Sequence, residues 1–381
     1  FSFVCLAGAL KHRDYQPTKV EPWGDDWIIH PVDGYGEPQL VRKIIQHYKP
    51  DALWFMTDPR FYVWLWNMED EIRPNIPMIY YHVWDNYPYP NFNKVYYDSN
   101  DVICTISKVT DDIVRTVSPD VKCVRIPHTV DANIFKKRDK SEYTKFVKIA
   151  KSDGKVVFFW NNRNARRKQS GTVIFWFKEF LDKVGQDKAM LIMHTEPKDP
   201  HGQDLQAIID NLGLQPGQVV ISTEKLPPKD LSYLYNMADC TVNISDAEGF
   251  GLATLESLAC ETPIIVNKTG GLQEQIVDNA GNELGVGIEP CSKSIIGSQD
   301  VPYIYEDRIS KEDFIEALER VFNMTQEERA SLGALGRKHV LDNYSMAQYA
   351  GLWYTTFKEV FEEFGSWEDR KGYKSWEMFK L

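Results

Sequence analysis

No apolar run in this chain approaches the roughly 18 to 20 residues that a membrane-crossing helix needs, and no charged-then-apolar leader opens it. The sequence therefore reads as a cytoplasmic protein without a transmembrane segment, with peripheral membrane contact left open. Its six cysteines (Cys5, Cys104, Cys123, Cys240, Cys260, Cys291) form no CxxC pair and no His-linked metal spacing, which suits buried, reduced thiols. Positive charge is scarce: 44 Lys and Arg stand against 55 Asp and Glu, a net −11. Nucleic acid would be repelled over most of such a surface, so any phosphate-bearing ligand has to be met by a local basic cluster. Internal repeats and low-complexity tracts are also missing.

What the chain does contain is an alternation of strand and helix. The runs "DALWFM", "PMIYYHVW" and "DVICTIS" read as buried strands, with the helical spacing of "EPQLVRKIIQHY" before them. A charged stretch at 135–155 separates this series from a second one, "VVFFWNN", "AMLIMHT", "QVVIST", "CTVNIS" and "TPIIVN". The length of 381 residues exceeds one ordinary core, so the expectation is an α/β protein of two Rossmann-like, doubly wound domains, at 1–140 and 150–349. Capping-box patterns open the helices after Ser310 and Thr325. The tail from about 350 to 381 is helical and then aromatic, with Trp367, Tyr373, Trp376 and Phe379, and is expected to pack back onto the protein.

One stretch, "NISDAEGFGLATLESLACETP" at 243–263, carries chemistry. In an open α/β sheet, ligands bind beyond the carboxyl ends of strands, where a loop delivers a helix N-terminus. Gly249 and Gly251 permit close backbone approach, and the helix from Leu252 offers unpaired N–H groups to an anion. Glu256, one turn in, leans back toward that N-terminus. A carboxylate beside a diphosphate is useless for charge but apt for hydroxyls, so Glu256 suits a ribose diol and Glu248 the hydroxyls of a second sugar. The implied ligand is a sugar nucleotide. A second glycine pair, Gly270 and Gly271, is expected to face the same cleft. The required basic cluster stands in "NNRNARRKQSG", with Arg163 and Lys168 as its first candidates and Arg166 and Arg167 equally basic.

These residues resemble the retaining glycosyltransferases of the two-domain GT-B fold, specifically family 4, the glycosyl transferases group 1. The resemblance rests on the E-x7-E element "EGFGLATLE", on Arg163 to Lys168, on "GGLQE" at 270–274 and on "IPHTVDANIF", and spans most of residues 80–275. It implies two domains facing a cleft, with Glu248 on the donor sugar and Glu256 on the ribose. Phe250, Gly251 and Leu252 would make backbone contacts to donor sugar and phosphate, and Arg163 and Lys168 would bind the diphosphate. It also places His82, in "MIYYHVWDNYP", at the cleft near the reacting sugar, with Asp85 orienting it, and returns the chain end to the first domain. His128 and Thr129 depart from the family's "IPNGVD". The family's Gly-rich loop after its first strand is expected upstream of Phe1, while "DGYGEPQLVRKII" is read as an ordinary turn.

The activity implied is hexosyl transfer with retention from a nucleoside diphosphate sugar to a hydroxyl acceptor, a glycan or lipid-linked sugar, the leaving phosphate helping to deprotonate the acceptor. No metal and no cofactor is expected, since no Asp-x-Asp element follows a strand in a convincing context. Two alternatives stay open: another enzyme of the same scaffold, an epimerase or phosphorylase, and a catalytically silent sugar-nucleotide-binding module.

Overall fold

The structure, a computed structural model, describes residues 1–8, 14–150, 152 and 154–374; Trp376 and Phe379 lie outside them. In the first lobe, strands Leu53–Met56, Met78–His82, Val102–Thr105 and Lys122–Arg125 pair in that order, all parallel. Met78–His82 and Val102–Thr105 are buried along their whole length, as parallel strands covered on both faces must be. A separate sheet joins Phe3–Ala7 in parallel to Gly24–Pro31, with Thr18–Val20 antiparallel on its other side. Gly34 and Gly36, at φ +57° and +86°, form the turn expected before helix Pro38–Tyr48.

The second lobe is one six-stranded parallel sheet in the order Val219–Ser222, Ala189–His194, Val156–Asn161, Cys240–Asn243, Ile264–Asn267, Gly285–Ile288. Chain order reverses between Val156–Asn161 and Cys240–Asn243. That switch point opens a crevice at the carboxyl ends of the two strands, where the sheet geometry favours ligand binding. The loops leaving it, 162–169 and 244–251, are the two that carry the basic cluster and the first glutamate. The architecture is thus mixed α/β with two Rossmann-like lobes facing a cleft.

Three segments cross between the lobes. Helix Lys140–Ala150 packs on the second lobe, where Arg138 N donates to Asn236 Oδ1 at 2.7 Å and Asn236 Nδ2 to Lys136 O at 2.9 Å. Helix Met346–Phe364, opened by a Ser345–Gln348 capping box worth about 1 kcal/mol, carries the chain back to the first lobe. There Trp353 lies edge-on to Trp54 and Tyr81, with centroids 5.8 and 5.1 Å away. Beyond it, Trp367 Nε1 donates to Pro50 O at 3.1 Å and the buried Arg370 pairs with Asp101 at 2.7 Å.

The third crossing has no counterpart in the sequence expectations. Ser292–Ile296 and Ile304–Arg308 form an antiparallel hairpin rooted in the second lobe. Its base is fixed by ion pairs of Arg308 with Asp246 and Glu306, and of Glu306 with Arg166. Its tip reaches the first lobe: Val301 is buried in that lobe's core, Tyr303 meets Phe92 edge-on at 5.1 Å, and Asn86 Nδ2 donates to Tyr305 O at 2.8 Å. One apolar cluster also runs through both lobes, joining Ile79, Tyr81 and Cys104 to Phe159, Leu255, Ile264 and Trp353.

Candidate active site

Between the lobes lies a cleft of about 690 Å³. Its second-lobe wall is the loop Ala247–Gly251 and the first turn of helix Leu252–Ala259. Gly251 caps this helix at φ +92°, a conformation that favours glycine, and a Cβ there would crowd the ends of the Leu272 and Thr254 side chains at 2.5 and 2.7 Å. The buried Gln275 holds the loop from behind, donating from Nε2 to Phe250 O at 2.7 Å. Leu252 and Ala253, the first residues of that helix, line the cleft, and the N–H groups of a helix's first turn have no partner within the helix.

Glu248 stands at the front of this loop. Its carboxylate ion pairs with Lys168, which is only 8% exposed, and Asn243 Nδ2 lies 3.4 Å away. Burial raises the Glu248 pKa, but Lys168 and Arg167 together outweigh it and hold the group below the usual carboxylate value. Burial likewise lowers the Lys168 pKa, with Glu248 opposing. Arg167 lines the cleft itself and donates to Ala247 O.

Several expected site residues fall elsewhere. His82 is fully buried, with Nδ1 2.9 Å from the Tyr80 hydroxyl and Nε2 2.6 Å from that of Tyr97. Side chains alternate along a strand, so His82 shares the face of Tyr80, covered by helix Lys94–Asp98, and burial drives its pKa down to about 3. The cleft wall begins one residue later, at Val83. Arg163 is also absent from the wall: its side chain is 62% exposed and grips Asp199 through Nε at 2.7 Å and a second nitrogen at 3.1 Å. Gly270 and Gly271 are buried against protein instead of facing ligand. A Cβ on Gly270 would lie 2.0 Å from Glu248 O, and one on Gly271 2.6 Å from Gly249 O. Their bare backbone makes room for the Glu248 loop.

Glu248, Phe250, Gly251 and Leu252 are on the wall; Lys168 supports it through Glu248. Glu256 is half-buried off the wall, accepting from the Tyr235 hydroxyl at 2.6 Å, which in turn accepts from Asn161 Nδ2 at 2.8 Å. Burial without a cation pushes its carboxyl up to about 7. The first lobe contributes Asp85, which makes no hydrogen bond to His82, and His128, whose ring meets Phe250 edge-on at 5.3 Å. Burial lowers the His128 pKa to about 4, so the ring is neutral. Asn162 presents a buried Nδ2 with no partner among the described residues. Among those residues no cluster of three His, Cys, Asp or Glu is arranged to hold a metal ion, and no helix is long and apolar enough to cross a membrane.

Two Rossmann-like lobes with a helix N-terminus at the switch point define the GT-B class of fold. Solved structures agree on the architecture. The sucrose-phosphate synthase of Thermosynechococcus elongatus superposes with a TM-score of 0.73 at 15% identity, covering 94% of this chain and 89% of that one. The Anabaena HepE protein in complex with UDP and glucose superposes at 0.67 and 13% identity, covering 87% and 86%. The chain belongs to the glycosyl transferases group 1 family, whose model matches residues 142–339. Among curated relatives, it is 23% identical to the N-acetyl-alpha-D-glucosaminyl L-malate synthase of Bacillus anthracis over 47% of this chain and 44% of that protein. It is 27% identical to the alpha-monoglucosyldiacylglycerol synthase of Streptococcus pneumoniae over 52% of this chain and 44% of that protein. The matches thus span less than half the length of these relatives.

Proposed function

We propose that the chain transfers a hexose, with retention at the anomeric carbon, from a nucleoside diphosphate sugar to a hydroxyl acceptor, a glycan or lipid-linked sugar. The observation that carries this reading is the helix N-terminus at Leu252 and Ala253, set beside Arg167 and in front of the Lys168–Glu248 pair. When the bond from the anomeric carbon to phosphate breaks, negative charge grows on the departing diphosphate. The Arg167 guanidinium and the first-turn N–H groups are already oriented there, and such preorganised donors act most strongly where charge develops. Glu248, kept ionised by Lys168, accepts from the hydroxyls of the donor sugar, and Glu256 from those of the ribose. The reading assigns neutralisation to protein groups and needs no metal. A malate conjugate and a diacylglycerol conjugate in the relatives' names share no acceptor, so the acceptor is not carried over from them.

Nucleotide binding tests the assignment of cations. Arg167→Ala is expected to weaken UDP, GDP or ADP, whichever binds the parent chain, at least tenfold, the equivalent of about 1.4 kcal/mol. Arg163→Ala is expected to change the same titration less than threefold, because its guanidinium faces Asp199. A larger loss from Arg163→Ala in calorimetry would put the diphosphate on the other side of the loop.

Affinity for the nucleotide should also depend on pH. Glu256 titrates at about 7, and ribose hydroxyls donate to its ionised form, so the association constant should rise with pH up to about 7.5 and then level off. Glu256→Gln should flatten that rise. If the slope survives in Glu256→Gln, the titrating group is a different acid, such as Asp85 on the cleft wall, raised to about 6 by burial.

A further inference from the structure

The turn at 33–36, which leaves the carboxyl end of strand Gly24–Pro31, displays an aromatic ring. Gly36 N donates to Asp33 O at 3.2 Å and closes the turn, and Tyr35 stands between the two positive-φ glycines. Its ring stacks on Phe61, with centroids 4.5 Å apart and planes 24° from parallel, and meets Tyr62 edge-on at 5.7 Å. Phe61 belongs to the loop that leaves the carboxyl end of Leu53–Met56, and hydrogen bonds hold that loop in place. Thr57 O accepts from the Tyr80 hydroxyl at 2.5 Å, Asp58 Oδ1 accepts from Arg60 N at the start of the short helix Pro59–Phe61, and Phe61 O accepts from the Trp64 indole at 3.1 Å. The stack is ordered yet open: Tyr35 is 43% exposed and Phe61 39%. It also adjoins the cleft. Thr57, Asp58 and Arg60 line the cleft wall, and the Arg60 guanidinium lies over the Phe61 ring, 5.4 Å from its centroid. Arg60 grips Asp58 through Nε and a terminal nitrogen, both at 3.0 Å. Another exposed aromatic pair, Trp23 with Trp27 at 5.2 Å, stands near the amino end of the same strand, and neither ring is on the cleft wall.

We propose that Tyr35 and Phe61, together with the Arg60–Asp58 pair, form an acceptor subsite that stacks a sugar ring at the first-lobe rim of the cleft. This rests on the glycosyl-transfer reading and deepens it, because it makes the face of a pyranose the feature by which the acceptor is recognised. A binding site of this kind combines aromatic surface with a few fixed polar groups. A pyranose supplies the complement to both: a C–H face that lies on an aromatic ring, and a rim of hydroxyls that donate to a carboxylate and accept from a guanidinium. An acyl chain laid on the same surface would take water from the Arg60–Asp58 pair and return no hydrogen bond, which costs free energy. The nucleotide of the donor is assigned to the second lobe, so the platform on the first lobe is left to the acceptor. Both loops leave the carboxyl ends of strands, the side of an α/β sheet on which ligands bind.

The probes are methyl glycosides and disaccharides of glucose, galactose, mannose and N-acetylglucosamine. Saturation-transfer NMR on the chain without donor reads contact with their ring C–H protons directly. At least one probe is expected to receive saturation from the wild type, to lose it at least fivefold in Tyr35→Ala and to recover it in Tyr35→Trp, which restores an aromatic face. Trp23→Ala, which removes an exposed ring elsewhere, should keep the wild-type signal. In turnover, read as sugar-stimulated release of nucleoside diphosphate from UDP-, GDP- and ADP-hexoses, Tyr35→Ala should raise KM for that sugar at least tenfold with kcat within threefold. Its nucleoside diphosphate affinity, measured by calorimetry, should stay within twofold of wild type. The subsite is overturned if no probe receives saturation from the wild type, or if Tyr35→Ala keeps both signal and KM within twofold. An equal loss of nucleotide affinity in Tyr35→Ala would also overturn it, making the platform a surface for the donor's base. The reading beneath it fails in a different way: a wild type that binds none of the three nucleotides, yet passes saturation to a sugar through Tyr35, sinks the donor assignment and keeps the sugar site.

Discussion

Lys168→Met is expected to lower unfolding free energy by about 3 to 5 kcal/mol, the cost of leaving one partner of a buried ion pair without its counter-charge. Lys168 and Glu248 have side-chain exposures of only 9% and 13%, so solvent screens the pair little. Arg167 remains nearby but spends one of its nitrogens on Ala247 O, and Glu248 would recover part of the loss by taking up a proton. Turnover should fall further than stability, because a protonated or displaced Glu248 no longer accepts from the donor sugar. The double variant Lys168→Met/Glu248→Gln separates the two effects: it should regain most of the stability, since no buried charge is left unpaired, and none of the activity. Urea titration of the single and double variants checks this, and a double variant no more stable than Lys168→Met would show that the loss comes from packing instead.

Gly270→Ala is the second large effect. At φ +47° an alanine already costs about 1 kcal/mol, and its Cβ would stand 2.0 Å from Glu248 O, a contact with backbone that cannot swing aside. The loop holding Glu248, Phe250 and Gly251 must move, so turnover should drop at least 100-fold although no group proposed to touch the ligand has been changed. Gly281→Ala is the matched comparison, with φ +85° and no atom within 4 Å of its Cβ. It should carry the conformational cost and leave turnover unchanged. Wild-type turnover in Gly270→Ala, measured beside Gly281→Ala, would mean that the two loops separate easily.

Much of the second lobe was legible in the chain because its strands are continuous apolar runs and its cleft-facing loop declares itself by glycines, an acid and a helix start. The Thr325–Glu328 capping box was legible for the same local reason and forms reciprocally. The side chains that fill the cleft were harder. Met78–His82 is buried on both faces, so its sequence carries no in-and-out alternation to tell whether His82 or a later residue meets the cleft. Arg163 and Arg167 differ only by the path of a loop, which composition does not encode. Gly270 and Gly271 signalled close approach correctly, yet close approach to protein backbone and to a ligand demand the same residue. The strand Ser292–Ile296 is exposed over four of its five positions, so it offers no periodic apolar signal, and its importance lies in where its loop lands.

That landing changes what the two lobes are to each other. Val301 completes the apolar core of the lobe to which its hairpin does not belong, and Trp353 does the same from the final helix. A cut between the sheets, anywhere along the chain, therefore exposes apolar surface on both sides. Chimeras that join one lobe of this protein to the opposite lobe of a relative must carry the hairpin and the final helix as one cassette matched to the first lobe, or each half will inherit a hole the other was meant to fill.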